Sequence, residues 1–391
     1  MVSKKNGFLF PLAAFLIANH FLVCPPTSKG QENQNYSLAG LDTLRITRVA
    51  DSLMKANNVP SYSLGIVSQQ ELIYAKAFGV MNRKTGKPAT SNTLYQIGSI
   101  TKVFTATLMA ALRDDGLVKI ADPVRKYLPP GQTFPGGRDD AELTLRHLAT
   151  HTSGLPRDFV NRVNVDPPGG PGVAKAYSIK ELYEGLDRSK ITGTVGIYAY
   201  SNLNFGLLGH VLERAAGVPY EQLLKQRILE PLQMLDSFVQ IPPEKEERFA
   251  TAYWPNFGPE EDRDPWFFGE ISGAGGLTSS VPDLAKFISL QFRTEDNKQK
   301  PISGATVREL WTPQPVEVNR GAIAFGWHIR EIENTGKWVL HGGEVDGFSS
   351  LVAFKPEQES GIIVLTNFGN NTAQNMAVPL MEIVWDWLKK S

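Results

Sequence analysis

Tyr95-Gln96-Ile97-Gly98-Ser99-Ile100-Thr101-Lys102 stands at the head of a helical stretch, 99–115, with Gly116 just beyond its end in a position suited to a helix C-terminus. Ser99 and Lys102 are three residues apart. On a helix that starts near Gly98 they share one face, and their side chains point into one space. A serine hydroxyl is a weak nucleophile until a base takes its proton. A lysine in a desolvated site becomes neutral and can be that base. The helix N-terminus adds free N–H groups and a positive dipole end, which favour a developing oxyanion. Ser-x-x-Lys also occurs by chance in many chains, where it is a capping serine beside a solvated lysine.

Working outward, both ends of the chain are rich in strand signals. Helical periodicity over 39–57 is followed by strands at 61–67 and 72–80, joined by the polar Ser68-Gln69-Gln70-Glu71. Near the other end, a strand at 338–342 precedes apolar runs at 348–354 and 362–366, and 373–390 has the pattern of an amphipathic helix. Between these ends the sequence is mostly helical, with segments at 144–150, 179–187 and 205–216 and a Pro/Gly-rich loop at 161–172. Ser280-Val281-Pro282-Asp283 carries a helix-start signal, a capping serine with proline in the first turn, for a helix reaching about Phe292. The expected architecture is α+β: an antiparallel sheet built from both chain ends, flanked by helices, with a mainly helical region inserted. Residues 37–98 and 270–391 form the α/β part and 99–269 the helical part.

Two further elements carry chemical groups. Tyr200-Ser201-Asn202 precedes the helix at 205–216, and a tyrosine there can relay protons to and from a serine, while Asn202 offers an amide donor and acceptor to a substrate amide. His341-Gly342-Gly343 follows the apolar Trp338-Val339-Leu340. Glycines in a strand mark the close approach of another backbone or a ligand, and the N–H just after them can help bind an oxyanion. Each element alone also fits a plain structural role.

In this order the three elements resemble the signature of the β-lactamase-related serine hydrolases. That superfamily includes class C β-lactamases, D-alanyl-D-alanine carboxypeptidases, D-aminopeptidases and β-lactamase-like esterases. Leu148-Ala149-Thr150-His151-Thr152-Ser153-Gly154-Leu155-Pro156, Gly273-Ala274-Gly275-Gly276-Leu277 and the passage from His341 to Gly347-Phe348 extend the likeness over nearly the whole chain beyond residue 36. The resemblance implies a β-lactamase/penicillin-binding-protein-like fold and an acyl-enzyme on Ser99. Lys102 and Tyr200 then share the acid and base work. Asn202, His341, Gly342 and Gly343 hold the substrate, and the N–H groups of Ser99 and Glu344 form the oxyanion hole. Arg157 and Asp158 line the pocket. Class C β-lactamases usually carry lysine where this chain has His341, and a neutral imidazole is a poorer partner for a β-lactam carboxylate. The substrate expected is therefore a D-amino-acid peptide. A simple ester, weak β-lactam hydrolysis and a non-turnover penicillin-binding sensor are the alternatives.

Composition narrows the remaining classes. Hydrophobic residues make up 42% of the 391 and charged residues 20%, as in an ordinary soluble globular protein. Forty basic residues balance forty acidic ones, which argues against a general nucleic-acid binder. The one cysteine, Cys24, excludes internal disulfides and cysteine-based zinc sites. Lys4 and Lys5 ahead of an apolar run at 8–23 have the pattern of an export signal, with a polar linker up to residue 36. Membrane contact is expected only through that signal or a lipid on Cys24, and the location is periplasmic or secreted. His147 and His151, four apart, lack a companion acid at metal-site spacing, and no metal or other cofactor is expected.

Overall fold

Helix α1 (Thr43–Asn57) begins at Asp42, whose carboxylate accepts the Arg45 N–H at 2.7 Å. A hairpin follows, β1 (Ser61–Ser68) and β2 (Glu71–Gly79), turned at Gln69 and Gln70 with φ of 50° and 67°. Two left-handed residues in the turn match the twist of an antiparallel ribbon. The short β3 (Tyr95–Gln96) leads through a tight turn at Gly98–Ile100 into α2 (Thr101–Asp114). The inserted region carries α3 (Leu145–Ala149), α4 (Ile179–Arg188), α5 (Asn202–Ala216) and α6 (Tyr220–Leu224). The chain returns through β4 (Thr278–Ser279), which pairs with β3, and then α7 (Val281–Leu290) and α8 (Gly304–Trp311). Strands β5 (Ala322–Ile323), β6 (His328–Ile332), β7 (Gly336–Val345), β8 (Phe348–Lys355) and β9 (Ser360–Thr366) precede the last helix, α9 (Thr372–Leu388). This computed structural model describes residues 40–135, 142–158, 176–254, 265–293, 301–319 and 321–390. The segment expected to be an export signal, Cys24 and the loop at 161–172 lie outside the described residues.

The large sheet has the order β2-β1-β9-β8-β7-β6-β5, and each neighbouring pair is antiparallel. Strand β1 lies between β2 and β9, so the early and late strands of the chain are joined in one sheet. Strand β9 is buried along its whole length because both of its faces are covered. Ile362 and Val364 pack with Ile46 of α1 and Leu380 of α9, while Ile363 and Leu365 pack on the opposite side with Leu284 and Ile288 of α7. Alternate side chains thus enter different cores, which turns the strand into a continuous apolar run. Each such aliphatic side chain contributes about 1.5–3 kcal/mol on burial. Helix α2 is buried on all sides from Thr101 to Leu112. No helix among the described residues is long and apolar enough to cross a membrane.

Local chemistry shifts several boundaries. Helix α5 starts at Asn202, three residues earlier than its apolar pattern suggests, because the Ser201 hydroxyl caps it by accepting the Asn204 N–H at 3.1 Å. The expected cap at Ser280 is not made, and the Ser280 hydroxyl has no hydrogen-bond partner. The nearby Asp283 carboxylate instead ties down the preceding region, accepting from the Asp236 N–H at 2.7 Å and the Ser237 hydroxyl at 2.9 Å. The strands β5 and β6 and helix α8 were not marked by the sequence pattern.

Candidate active site

The turn that carries Ser99 presses directly against β7. Gly98 has φ of 50°, and a Cβ there would sit 2.7 Å from the Glu344 nitrogen. A Cβ on Gly343 would sit 1.9 Å from the Ile97 carbonyl oxygen. Both positions therefore need glycine, as the paired glycines after His341 led us to expect of a close backbone approach. The Ser350 hydroxyl of β8 fixes the contact by donating to the Ile97 carbonyl at 2.8 Å. The Glu344 backbone is thereby held beside Ser99. The Glu344 side chain has separate work: its carboxylate accepts from the Asn370 and Asn371 N–H groups at the start of α9.

Lys102 lies one turn into the helical segment, fully buried. Its Nζ is 2.9 Å from Ser99 Oγ, 2.9 Å from Asn202 Oδ1 and 2.6 Å from the Ala274 carbonyl oxygen. Burial, and secondarily the charge of Arg157, pushes its pKa well below the usual 10.5, while Asp158 acts the other way. A neutral amine has two N–H groups and one lone pair. The two carbonyl oxygens can only accept, so they take the N–H groups. Ser99 is the one partner of the three that can also donate, so in the neutral form of Lys102 the lone pair faces it.

Tyr200 faces the Ser99 side chain, whose hydroxyl favours the phenolate. Burial raises its pKa to about 12, with the Ser99 contact lowering it less, so the phenol is neutral at ordinary pH. Its ring is held on several sides. His151 lies 4.4 Å away ring to ring, the Lys102 ammonium position is 5.1 Å from the centroid, and the Arg157 guanidinium is also at 5.1 Å. Asn202 links two side chains: its Oδ1 accepts from Lys102, and its Nδ2 donates to Asp158 Oδ1 at 2.6 Å. The expected amide contact to substrate is thus joined by a second task, holding the lysine. Arg157 and Asp158 do stand at the site, as the likeness implied.

His341 is 2% exposed and its Nδ1 lies 2.6 Å from the Gly342 carbonyl oxygen. That oxygen accepts only, so Nδ1 carries the proton and Nε2 presents a bare lone pair, which has no partner. Burial, followed by His328 and Lys102, holds its pKa well below 6.5. Its ring is 5.2 Å from His328 and 6.5 Å from Tyr200. His328 lies on β6, which the sequence pattern did not mark. Beside it a cavity of about 350 Å³ is walled by Ile197, Tyr198, Glu317, Val318, Asn319 and Arg330. Residue Ala274 was quoted in the likeness, but its carbonyl's grip on Lys102 had no sequence signal, since any residue has a carbonyl. His147 caps α3 through Thr144, and His151 lies past the end of that helix, so the two do not form a metal pair.

These buried histidines set an acid limit on stability. His151 is also held well below 6.5, chiefly by burial and then by Lys102. Unfolding restores the ordinary value, so below pH 6.5 the unfolded chain binds more protons. The stability contribution is complete above pH 6.5 and is lost as pH falls toward the folded values, by up to about 1.4 kcal/mol per pH unit for each histidine. Urea midpoints at pH 7.5, 6.0 and 5.0 should fall in that order. Equal midpoints would contradict the neutral, buried assignment.

Comparison with known proteins bears on the family and the fold. The profile of the family described as Beta-lactamase matches residues 46–380. A Beta-lactamase of Escherichia coli (strain K12) is 25% identical over 354 residues, covering 82% of this chain and 88% of that protein. The octameric penicillin-binding protein homologue from Pyrococcus abyssi superposes with a TM-score of 0.73 at 27% identity, over 87% of this chain and 77% of its own. The beta-lactamase/D-alanine carboxypeptidase from Pseudomonas syringae also gives 0.73, over 90% of this chain and 99% of its own, and at 22% identity it supports the fold alone.

Proposed function

The chain belongs to the beta-lactamase family of serine hydrolases, and from that premise we propose that it cleaves D-amino-acid peptides through an acyl-enzyme on Ser99. The observation that carries the roles is the set of Lys102 partners, two carbonyl oxygens and one hydroxyl. Neutral Lys102 takes the Ser99 proton as Oγ attacks the carbonyl carbon. The resulting ammonium donates to Asn202 Oδ1 and the Ala274 carbonyl, which face it before the reaction starts. The tetrahedral oxyanion is bound by the Ser99 and Glu344 N–H groups, a preorganised arrangement worth about 10²–10³ in rate per donor. Tyr200, a neutral phenol, gives its proton to the leaving amine and is reprotonated from Lys102. Water then attacks the ester, and the same groups run the sequence in reverse. Export through the N-terminal segment belongs to the same proposal, resting on the Lys4/Lys5 and apolar pattern alone.

The preference for a peptide over a β-lactam rests on His341. Its bare Nε2 can accept a peptide N–H but gives a carboxylate no positive charge. Cationic charge at the site comes instead from Arg157, over the Tyr200 ring and 66% exposed at the side chain. A panel of D-alanyl peptides, p-nitrophenyl esters and a chromogenic cephalosporin tests the reading. The peptides should give the highest kcat/KM. A simple ester turned over tenfold better would move the assignment to an esterase, and a stable mass-spectrometric adduct without product would make the protein a sensor. His341→Lys should raise cephalosporin turnover relative to the peptides. An unchanged or lower ratio would remove the carboxylate argument.

A further inference from the structure

A second cluster of chemically capable side chains lies away from Ser99. His210 and Glu213 are three residues apart on one face of α5, and Glu270 comes in from the segment just before Ser272. His210 Nδ1 is 3.5 Å from Glu270 Oε2 and 3.9 Å from Glu213 Oε1, and the three ligand atoms all lie within 4.8 Å of one another. His210 is 3% exposed, and its Nδ1 has no hydrogen-bond partner. A buried nitrogen aimed between two carboxylates without bonding either is a costly arrangement for a stable core.

The surroundings prepare the nitrogen for a cation. His210 Nε2 is 2.9 Å from the Tyr183 hydroxyl on α4, the kind of outer contact that fixes the tautomer of a metal-binding imidazole. Glu213 is held by one oxygen only, Oε2, which accepts the Tyr220 N–H at 2.9 Å, so Oε1 stays free to ligate. The Glu270 backbone is anchored by donating its N–H to the Tyr177 carbonyl at 2.9 Å. Burial first, and then the charge of Glu213, raises the Glu270 pKa, which marks an uncompensated pair of acids. Protonation of His210 does not relieve them: burial, then Arg214, lowers its pKa to about 4. Arg214 is the one cation facing the cluster from α5, and its Nε donates to the Tyr127 carbonyl at 2.7 Å.

We propose that His210, Glu213 and Glu270 form a binding site for a first-row divalent cation such as zinc. One imidazole and two carboxylates are a donor set that zinc accepts, with bonds of about 2.0–2.2 Å and donors about 3.4 Å apart in a tetrahedron. The imidazole–carboxylate separations of 3.5 and 3.9 Å need to close by about 0.5 Å or less and the carboxylate pair, within 4.8 Å, by up to about 1.4 Å, and both glutamates are accessible enough to move. The ion touches no reacting atom. It braces the Glu270–Ala274 stretch, whose carbonyl at Ala274 holds Lys102, against α5, whose first residue Asn202 holds it too.

Zinc titration of chelator-stripped full-length protein, in competition with a chromogenic chelator, tests the site without using catalysis. One zinc ion per chain should bind, and added zinc should raise the melting temperature. Glu270→Gln, a change at a partly exposed residue, and Glu213→Gln should each weaken binding tenfold or more and remove the thermal shift. Circular dichroism confirms that each variant is folded. An unmodified chain that binds no stoichiometric zinc, or one whose affinity survives both substitutions, overturns the proposal.

Discussion

Ser99→Ala will leave no covalent adduct with any substrate and will lower kcat/KM by about 10⁴–10⁶ while the protein stays folded. The magnitude follows from groups that act as one unit, for which losing one member costs about as much as losing all. The Ser99 hydroxyl is the nucleophile that takes the acyl group, it lies 2.9 Å from Lys102 Nζ, and it faces Tyr200. Its removal leaves Lys102, whose pKa burial lowers, with both of its carbonyl acceptors. The stability loss should therefore stay near that of a single hydrogen bond, about 1 kcal/mol. Lys102→Met should match the loss in rate, and the double variant should be no slower than either single one. Lys102→Arg should not restore activity, since a guanidinium remains charged. In the unmodified protein kcat/KM should fall on the acid side as Lys102 takes up a proton, at a pH well below 10.5. An alanine variant that kept its rate on an activated ester would refute the role of Ser99.

Tyr200→Phe will cost about 10²–10⁴ in kcat on an amide and far less on a p-nitrophenyl ester. An amine leaves only as it gains a proton, and the neutral phenol, with its pKa raised to about 12, is placed to give one. p-Nitrophenolate leaves without a proton. The sign for pH follows: the protonated tyrosine is the working form, so activity stays level through neutral pH and is lost toward pH 12. The ring is packed by His151 and touched by Arg157, so phenylalanine keeps those contacts and KM should change little. Equal losses on both leaving groups would reassign Tyr200 to positioning.

The legible parts of this chain are those in which side-chain type alone carries the information. The hairpin at Ser68–Glu71, the apolar runs of β8 and β9 and the glycine just beyond the end of α2 could all be read, because periodicity and turn residues are local. Ser99, Lys102, Tyr200 and His341 emerged from their order along the chain, and the structure brings them together. What escaped was relational. The Ala274 carbonyl is a backbone group, His328 sits on a five-residue strand with too few positions to show a period, and Glu270 meets His210 only after folding. The signal at Ser280–Asp283 was local and marked the start of α7 correctly, while the partners of Asp283, the Asp236 N–H and the Ser237 hydroxyl, are long-range and had no such signal.

The joining of both chain ends in one sheet also sets an order of assembly. Tyr62 on β1 waits for Thr366 on β9, about 300 residues later, and contacts so distant in sequence form slowly. Until then the β1/β2 ribbon is an unfinished edge, open to wrong partners. The same delay governs chemistry, because Gly98 meets Glu344 only when β7 docks. A nascent or C-terminally shortened chain therefore holds Ser99 and Lys102 without the second amide of the oxyanion hole, and hydrolytic power arrives late, with the closure of the sheet.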